Sequence, residues 1–274
     1  MTLTKIQLLG QILTGMDSVL VAFSGGVDST FLLKTTLNTL GTHKVLAVTA
    51  SSESYPVEER QLAKKLSEFL GARHIDISTQ ELSDERYSQN PPERCYYCKS
   101  ELFHKLLDIA QNNGLAFVVD GANADDVHDF RPGMKAGSEL GIRSPLREAG
   151  LTKDEIRSLA KVQGLPNWDK PSMPCLSSRF PYGHRITVEK LEQVEEAERY
   201  LRDCGFLELR VRHHGDVARI EVPGPDITRL AEEPLRGQVF NKLYSLGFSY
   251  ITVDLKGFRS GSMNEVLPKE ILNG

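Results

Sequence analysis

A buried-strand pattern that runs directly into two glycines constrains the fold more than any other feature of this sequence. The apolar residues 19–23 predict a short buried strand, and the segment SGGVDS (residues 24–29) follows at once, before a helical pattern begins at Thr30. Adjacent glycines let the backbone turn tightly and expose its N–H groups. We predict that Ser29 caps this helix, whose N–H groups and positive dipole end then form an anion site.

Asp28 indicates what kind of anion the loop holds. A carboxylate repels a bare phosphate, but the two are compatible when a divalent cation such as Mg²⁺ lies between them. A plain Gly-Gly turn that opens an ordinary αβ unit is the alternative. The spacing excludes a Walker loop, because no Gly-Lys-Ser/Thr follows, and it lacks the third glycine of the dinucleotide fingerprint.

Composition excludes several classes of function. Of the 274 residues, 40% are hydrophobic and 26% are charged, as in ordinary soluble proteins. A net charge of −4 argues against broad nucleic-acid binding, which needs a basic surface, and no apolar run reaches membrane-spanning length. We therefore expect a cytoplasmic protein with no bulk nucleic-acid or membrane partner.

Strand and helix patterns alternate through the first half of the chain. Further strands are predicted at Val45–Thr49, His74–Ile77 and Phe117–Asp120, with helices between them. This alternation predicts an α/β fold, a parallel sheet with helices on both faces, whose ligand lies beyond the carboxyl ends of the strands. Besides the glycine loop, the predicted nucleotide contacts at that edge are Thr49, Ser51, Gly121 and Asp125.

A proline-rich segment divides the predicted domains. Residues 1–165 are predicted to form the ATP-binding and adenylation domain. Residues 166–184 contain four prolines and Cys175, and we predict that they form both the domain junction and an active-site loop. Residues 185–274 are predicted to form a small α+β domain for substrate binding or oligomerisation, with a hairpin of strands Leu207–Arg212 and Val217–Val222 around His213–Asp216.

The cysteines suggest a metal site or a reactive thiol. Cys95 and Cys98 lie three residues apart at a predicted helix start, where thiols share one face and ionise readily. Such a pair is a redox dithiol, half of a zinc site, or two small packing residues. Together with Cys175 it supplies three soft ligands, which suit an iron–sulfur cluster with one open iron or a zinc ion with one further ligand. Cys204 lies on the apolar stripe of its predicted helix and is interpreted as a core residue.

Two levels of resemblance sharpen this interpretation. The SGGVDS loop resembles the PP-loop of the ATP pyrophosphatase superfamily, whose domains have an adenine nucleotide alpha hydrolase-like fold. Nearly the whole chain resembles the LarE family of ATP-dependent sulfur transferases, which act in the synthesis of the nickel-pincer nucleotide of lactate racemase. The segments that carry this second resemblance are PSMPCLSSRFPYG (171–183), LRVRHHGDVARIEVP (209–223) and VDLKGFRSGSMNE (253–265).

The resemblance implies a reaction. ATP adenylates a carboxylate of a pyridinium-3,5-dicarboxylate mononucleotide with release of pyrophosphate, and sulfur then displaces AMP to give a thiocarboxylate. In one form of the family a loop cysteine, matched by Cys175, gives up its sulfur and becomes dehydroalanine. In the other, three cysteines, matched by Cys95, Cys98 and Cys175, hold a [4Fe-4S] cluster that delivers sulfide. This chain resembles the cluster form, which requires a sulfide donor.

The resemblance also assigns roles to individual residues. Asp28 is expected to bind Mg²⁺, and Cys175, Asp28 and Arg179 are the predicted catalytic residues. The predicted ligands of ATP and pyrophosphate in the loop are Ser24, Gly25, Gly26, Val27, Asp28 and Ser29. The predicted ligands of the substrate phosphate are Ser178, Arg210 and Arg212. For the arginines, a surface salt bridge is the alternative.

Three competing functions make different demands on the sequence. A PP-loop tRNA thiolase also uses cysteines but requires a basic face, which the net charge of −4 disfavours. An amide-forming synthetase would not need the three cysteines. A non-catalytic nucleotide sensor would bind ATP without releasing pyrophosphate. For the enzyme itself we expect a homo-oligomer.

Overall fold

The structure is a computed structural model that describes residues 2–128, 132–259 and 261–268. Ser260 and residues 269–274 of the predicted C-terminal domain lie outside this described part. The helices are α1 Thr2–Thr14, α2 Val27–Leu40, α3 Val57–Phe69, α4 Glu85–Ser88, α5 Arg94–Asn112, α6 Pro132–Glu139, α7 Pro145–Glu148, α8 Lys153–Val162, α9 Val188–Asp203, α10 Gly224–Ala231 and α11 Leu235–Ser245. The strands are β1 Val19–Ala22, β2 Val45–Ser51, β3 Arg73–Ser78, β4 Phe117–Val119, β5 Arg210–His214, β6 Val217–Glu221 and β7 Tyr250–Val253.

The chain divides into two compact units. The first comprises residues 1–81 and 93–173, and the second comprises residues 82–92 and 174–274. The chain passes from the first unit to the second for the last time between Met173 and Pro174, within the predicted junction at 166–184. The predicted boundaries did not include residues 82–92 in the second unit, where they are held because Tyr87 hydrogen-bonds Ser177 and the Asn90 side chain donates to the Pro181 carbonyl.

A parallel four-stranded sheet with the order β3-β2-β1-β4 forms the centre of the first unit. The side chains of β1 point alternately into two apolar layers. Val19 and Val21 pack with α1, α2 and α8 on one face of the sheet, and Leu20 packs with α5 on the other. Burial on both faces explains why this strand is apolar throughout. The predicted α/β class, with a parallel sheet and a smaller C-terminal sheet, is confirmed.

The second unit contains a three-stranded mixed sheet in the order β5-β6-β7. β5 and β6 form an antiparallel hairpin in which Arg212 lies opposite Arg219, and β7 adds parallel to β6. The first strand begins at Arg210, three residues later than the predicted start at Leu207. The strand starts later because Leu207 is 85% exposed, whereas Leu209 and Val211 enter the core of this unit.

No helix in the described part of the chain is long and apolar enough to cross a membrane.

Candidate functional site

The loop after β1 leaves the start of α2 open to an anion. Helix α2 begins at Val27, its N-cap is Gly26, and no side chain caps it. Ser29 is not the cap that the sequence predicted. It lies in the first turn, where its hydroxyl accepts from the Ser24 N–H at 3.3 Å and contacts the Ser24 hydroxyl at 3.1 Å. The first N–H groups of a helix have no partner within it, so these remain available for a phosphate.

Close backbone approaches explain the glycines around this loop. Gly25 has a φ of +67°, and a Cβ there would lie 2.9 Å from the Cα of Ala63 in α3. A Cβ on Gly121, which follows β4, would lie 3.0 Å from the backbone nitrogen of Ser29. The loop after β4 therefore packs directly on the first turn of α2, at the carboxyl edge of the sheet. The prediction that the loops after β1 and β4 share this edge is confirmed.

Two side chains outside the motif brace the glycine loop. The Asn167 amide is buried and donates to the Gly25 carbonyl at 3.0 Å and to the Thr30 hydroxyl at 3.1 Å. The Tyr55 hydroxyl donates to the Ser24 carbonyl at 2.6 Å. Sequence reasoning missed both residues. Asn167 belongs to the proline-rich segment, which was predicted to contribute to the site through its later residues.

Asp28 is a half-buried carboxylate that lacks a full set of partners of opposite charge. Its Oδ2 accepts from the Asn123 amide at 3.0 Å. Burial raises the pKa of Asp28, the hydrogen bond from Asn123 opposes this shift, and the nearby Asp126 adds to it. Lys153 and Arg157 lower the pKa more weakly. A carboxylate in this state is stabilised by a cation, which is the property expected of a Mg²⁺ ligand.

The other predicted nucleotide contacts have different surroundings. The Thr49 side chain is 1% exposed, and its hydroxyl donates to the Phe23 carbonyl and hydrogen-bonds His74, both at 2.8 Å. The Ser51 hydroxyl donates to the Ile77 carbonyl at 3.3 Å. The Asp125 carboxylate accepts from the Lys153 N–H at the start of α8. These hydrogen bonds hold the three side chains at the edge of the sheet, and their role in nucleotide binding stays a prediction.

The cysteines are distributed over both units, and none of the four forms a disulfide. Cys95 and Cys98 lie half-buried in the first turns of α5, which begins one residue earlier than predicted. Cys175 belongs to the second unit, half-buried just before a 3₁₀ turn at Leu176–Arg179. Among the described residues, no three His, Cys, Asp or Glu side chains are grouped so that they could hold a metal ion.

Arg179 forms a buried clamp on the Cys175 loop. The side chain is 0% exposed, and its guanidinium makes a two-fold contact with the carboxylate of Glu198, with both distances 2.8 Å. Its Nη1 donates to the carbonyls of Pro174 and Cys175 at 2.8 and 3.1 Å, and to the Ser178 hydroxyl at 2.9 Å. The Arg179 guanidinium is therefore fully buried among partners of the second unit, and its catalytic role stays a prediction.

Arg210 and Arg212 lie on one face of β5, opposite Glu221 and Arg219 of β6. Arg212 donates to the Ser178 carbonyl at 2.8 Å and to Glu221 and Ser262, both at 2.7 Å. Arg210 lies over the Phe258 ring, and burial, followed by the charge of Arg179, lowers its pKa to about 10. These arginines are buried, so neither forms the surface salt bridge that was the alternative.

This face of the second sheet is rich in cationic donors. In the described part of the chain, the buried Nε atoms of Arg212 and Arg219 have no hydrogen-bond acceptor. Arg212 and Arg219 both form ion pairs with Glu221, and Arg210 lies opposite Glu221 in the strand pairing. An unsatisfied buried cationic donor is costly, and an anion satisfies it. The face therefore has the chemistry of a phosphate or carboxylate site.

Known proteins resemble this chain along almost all of its length. A family model described as NAD synthase matches residues 8–99, which include the glycine loop. An uncharacterized protein of Synechocystis sp. is 44% identical over 97% of this chain and 99% of its own length. The pyridinium-3,5-bisthiocarboxylic acid mononucleotide synthase of Lactiplantibacillus plantarum is 46% identical over 97% of this chain and 96% of its own. The chain therefore belongs to the LarE family of PP-loop proteins, the family of that synthase.

Proposed function

We propose that this protein is an ATP-dependent sulfur transferase that converts the carboxylates of a pyridinium-3,5-dicarboxylate mononucleotide into thiocarboxylates. The observation that carries the proposal is the uncapped start of α2 beside Asp28, in a chain that shares 46% identity with a synthase named for the bisthiocarboxylate product. A carboxylate is a poor electrophile, whereas its mixed anhydride with AMP is a good one. ATP cleavage between the α- and β-phosphates provides that activation.

Adenylation is the first half of the proposed reaction. A substrate carboxylate oxygen attacks the α-phosphorus of ATP, and the bond to the β-phosphate oxygen breaks to release pyrophosphate. The N–H groups at the start of α2 and the segment Ser24–Ser29 stabilise the charge that develops on pyrophosphate. Asp28, oriented by Asn123, would hold Mg²⁺. In the described residues, Asp28 belongs to no group of three metal-binding side chains, so ATP oxygens would complete the coordination of the ion.

Substrate binding is assigned to the arginine face of the second unit. Arg210 and Arg212, with Ser178, are proposed to bind the phosphate of the mononucleotide. The buried Nε of Arg212, which has no acceptor in the described part of the chain, supports this assignment. Arg212 also donates to the Ser178 carbonyl, so this phosphate site and the Cys175 loop are parts of one hydrogen-bonded structure.

Sulfur transfer is the second half. Sulfide attacks the acyl carbon of the adenylate, the bond to the AMP oxygen breaks, and a thiocarboxylate forms. We propose that Cys95, Cys98 and Cys175 bind a [4Fe-4S] cluster, which when bound supplies an open iron that can carry the sulfide. The thiol state of all three, and the pairing of two of them on one helix, suit this ligand set.

A sacrificial Cys175 is the alternative sulfur source. Its thiolate would attack the acyl carbon of the adenylate and displace AMP, which gives a thioester. Loss of the Cys175 α-proton and cleavage of its Cβ–S bond would then release the thiocarboxylate and leave dehydroalanine. Mass spectrometry of the protein after turnover distinguishes the two sources, because only the sacrificial route removes one H₂S from the peptide that contains Cys175.

The activity test uses the full chain with ATP, Mg²⁺, the dicarboxylate mononucleotide and a sulfide donor. We expect AMP, pyrophosphate and thiocarboxylate product to appear together, which chromatography with mass detection measures. ATP cleavage that does not depend on the mononucleotide, or formation of an amide with ammonia in place of the thiocarboxylate, would refute sulfur transfer. Light scattering of the same preparation tests the expected homo-oligomer.

The cluster test uses anaerobic reconstitution with iron and sulfide. We expect about four irons per chain and their loss when Cys95, Cys98 or Cys175 is replaced by serine. Cys204 is the matched control, because it packs against the core of the second unit at the end of α9. Cys175→Ser with a full complement of iron would contradict the three-ligand assignment.

A further inference from the structure

We infer that Glu198 is a positioning residue for sulfur transfer, one that holds the Cys175 loop in a fixed place relative to the arginines of β5. This inference rests on the proposed function. It concerns a carboxylate of helix α9 that is not one of the predicted site residues. Glu198 is 0% exposed, and every partner described below lies in the second unit.

Glu198 contacts the Cys175 loop through Arg179. Glu198 fixes both the Nε and the Nη2 edge of the Arg179 guanidinium at 2.8 Å. This leaves Nη1 facing the chain, where it donates to the carbonyls of Pro174 and Cys175. A guanidinium is planar and rigid, so fixing one edge fixes the direction of the other. The backbone at Cys175 is therefore held by Glu198 through Arg179.

Glu198 also contacts strand β5 directly. The same Oε1 that accepts from Arg179 also accepts from the Val211 N–H at 3.0 Å. Val211 lies between Arg210 and Arg212, the proposed ligands of the substrate phosphate. One carboxylate oxygen thus bonds both to the residue that holds the sulfur-bearing loop and to the strand that binds the substrate.

Charge gives Glu198 a second effect on the same structure. Arg179, Arg202 and Arg210 all lie near its carboxylate, and Arg202 Nη1 is 3.5 Å away. Burial and Arg179 lower the pKa of Arg210, whereas Glu198 opposes the shift. The arginines hold the pKa of Glu198 below its usual value. Glu198 is therefore ionised at neutral pH and keeps the arginine face charged.

These contacts lead to a specific functional expectation. Adenylation depends on the glycine loop of the first unit, whereas sulfur transfer depends on the position of Cys175. A displacement of about 1 Å at a reacting group costs on the order of 10²-fold in rate. Loss of Glu198 should therefore slow sulfur transfer while ATP cleavage continues, so that adenylate forms and is hydrolysed without product.

The test measures thiocarboxylate formed per AMP released, in the full chain reconstituted with iron and sulfide. For Glu198→Gln we expect this ratio to fall at least about tenfold, with the KM for ATP unchanged. Glu196→Gln is the matched control, with the same substitution on the same helix at an exposed ion pair with Arg199. It should keep the wild-type ratio.

A second variant covers the case in which Glu198→Gln does not fold, since removing one partner of a buried ion pair is destabilising. Arg179→Lys keeps the buried charge but loses the planar fork, so it should fold and show the same fall in the ratio. A wild-type ratio in either folded variant would overturn the inference. So would a parallel loss of ATP cleavage and sulfur transfer that follows only the folded fraction.

A readout without turnover separates this inference from the proposed function. In the apoprotein, the rate of alkylation of Cys175 by iodoacetamide, followed by mass spectrometry, should change several-fold in Arg179→Lys and not in Glu196→Gln. If the wild type makes no thiocarboxylate but alkylation changes as expected, the proposed function fails and the positioning role of the pair stands. Unchanged alkylation in an active enzyme refutes the positioning role alone.

Discussion

Replacement of Gly25 by alanine tests whether the close approach of the glycine loop to α3 sets the geometry of the ATP site. The residue has a φ of +67°, and a Cβ would lie 2.9 Å from Ala63 Cα. Carbon atoms pack best at about 3.5–4.0 Å, so the loop or the helix must move by roughly 0.5–1 Å. Because the contact is with backbone, no side-chain rotation relieves it.

Two separate costs follow from this geometry. The left-handed backbone conformation costs any L-residue about 1–2 kcal/mol, which appears as lost stability. The displacement of the loop adds a loss of function, because the N–H groups after Gly26 must meet the phosphates. A misplacement of about 1 Å costs on the order of 10²-fold. We therefore expect Gly25→Ala to lower the rate of AMP formation by one to two orders of magnitude.

Gly41 at the opposite end of α2 provides the matched control. It has a φ of +81°, but a Cβ there would meet no atom within 4 Å. Gly41 combines this φ with a ψ of 159°, a region that almost only glycine adopts, so Gly41→Ala should lose about 1–3 kcal/mol of stability while its rate of AMP formation stays within about twofold of the wild type. Thermal unfolding and AMP formation, measured on both variants, separate the costs. Equal rates in the two variants would show that the contact with Ala63 does not shape the ATP site.

Two further predictions concern pH and charge. Burial raises the pKa of Asp28, so the ionised carboxylate is less stable in the folded protein than in the unfolded chain. The free energy of unfolding therefore falls as the pH rises from the usual pKa of an aspartate through the raised value. Asp28→Asn should accordingly melt higher than the wild type at neutral pH without Mg²⁺ and form AMP at least about 10²-fold more slowly; a lower melting temperature would contradict the buried-charge account. Burial lowers the pKa of His213 from 6.5 to about 4, so the unfolded chain takes up this proton first and stability is lost as pH falls from 6.5 towards 4. The loss should approach about 3 kcal/mol by urea titration and shrink in His213→Phe, and an equal pH dependence in that variant would refute the assignment.

The predicted strand, glycine loop and helix formed because their signals are local, although the helix begins at Val27 and Ser29 does not cap it. An apolar run, two glycines and a helical period are each read within a few residues. The capping box at Thr152 and Glu155, which opens α8, is a signal of the same local kind. The hairpin was found from its Gly215 turn, although its first strand was displaced by three residues.

The braces of the site had no local signal. Asn167 is a short polar residue in a loop, and nothing near it in the chain marks it as a partner of Gly25. Glu198 follows the pattern of an ordinary charged residue on an amphipathic helix, yet it is completely buried. Such pairings join residues far apart in sequence, so only folding brings them together.

The sequence by itself determined the chemistry: a glycine loop at a helix start, a carboxylate placed for a cation, three thiols, and arginines that alternate along a strand. These properties depend on residue type and local backbone, and they persist in any fold that keeps the segments. Only the tertiary structure decided which of these groups face a ligand and which hold the others in place. Arg179 shows the difference, because a guanidinium binds an anion when exposed and clamps a loop when a buried carboxylate such as Glu198 meets it first.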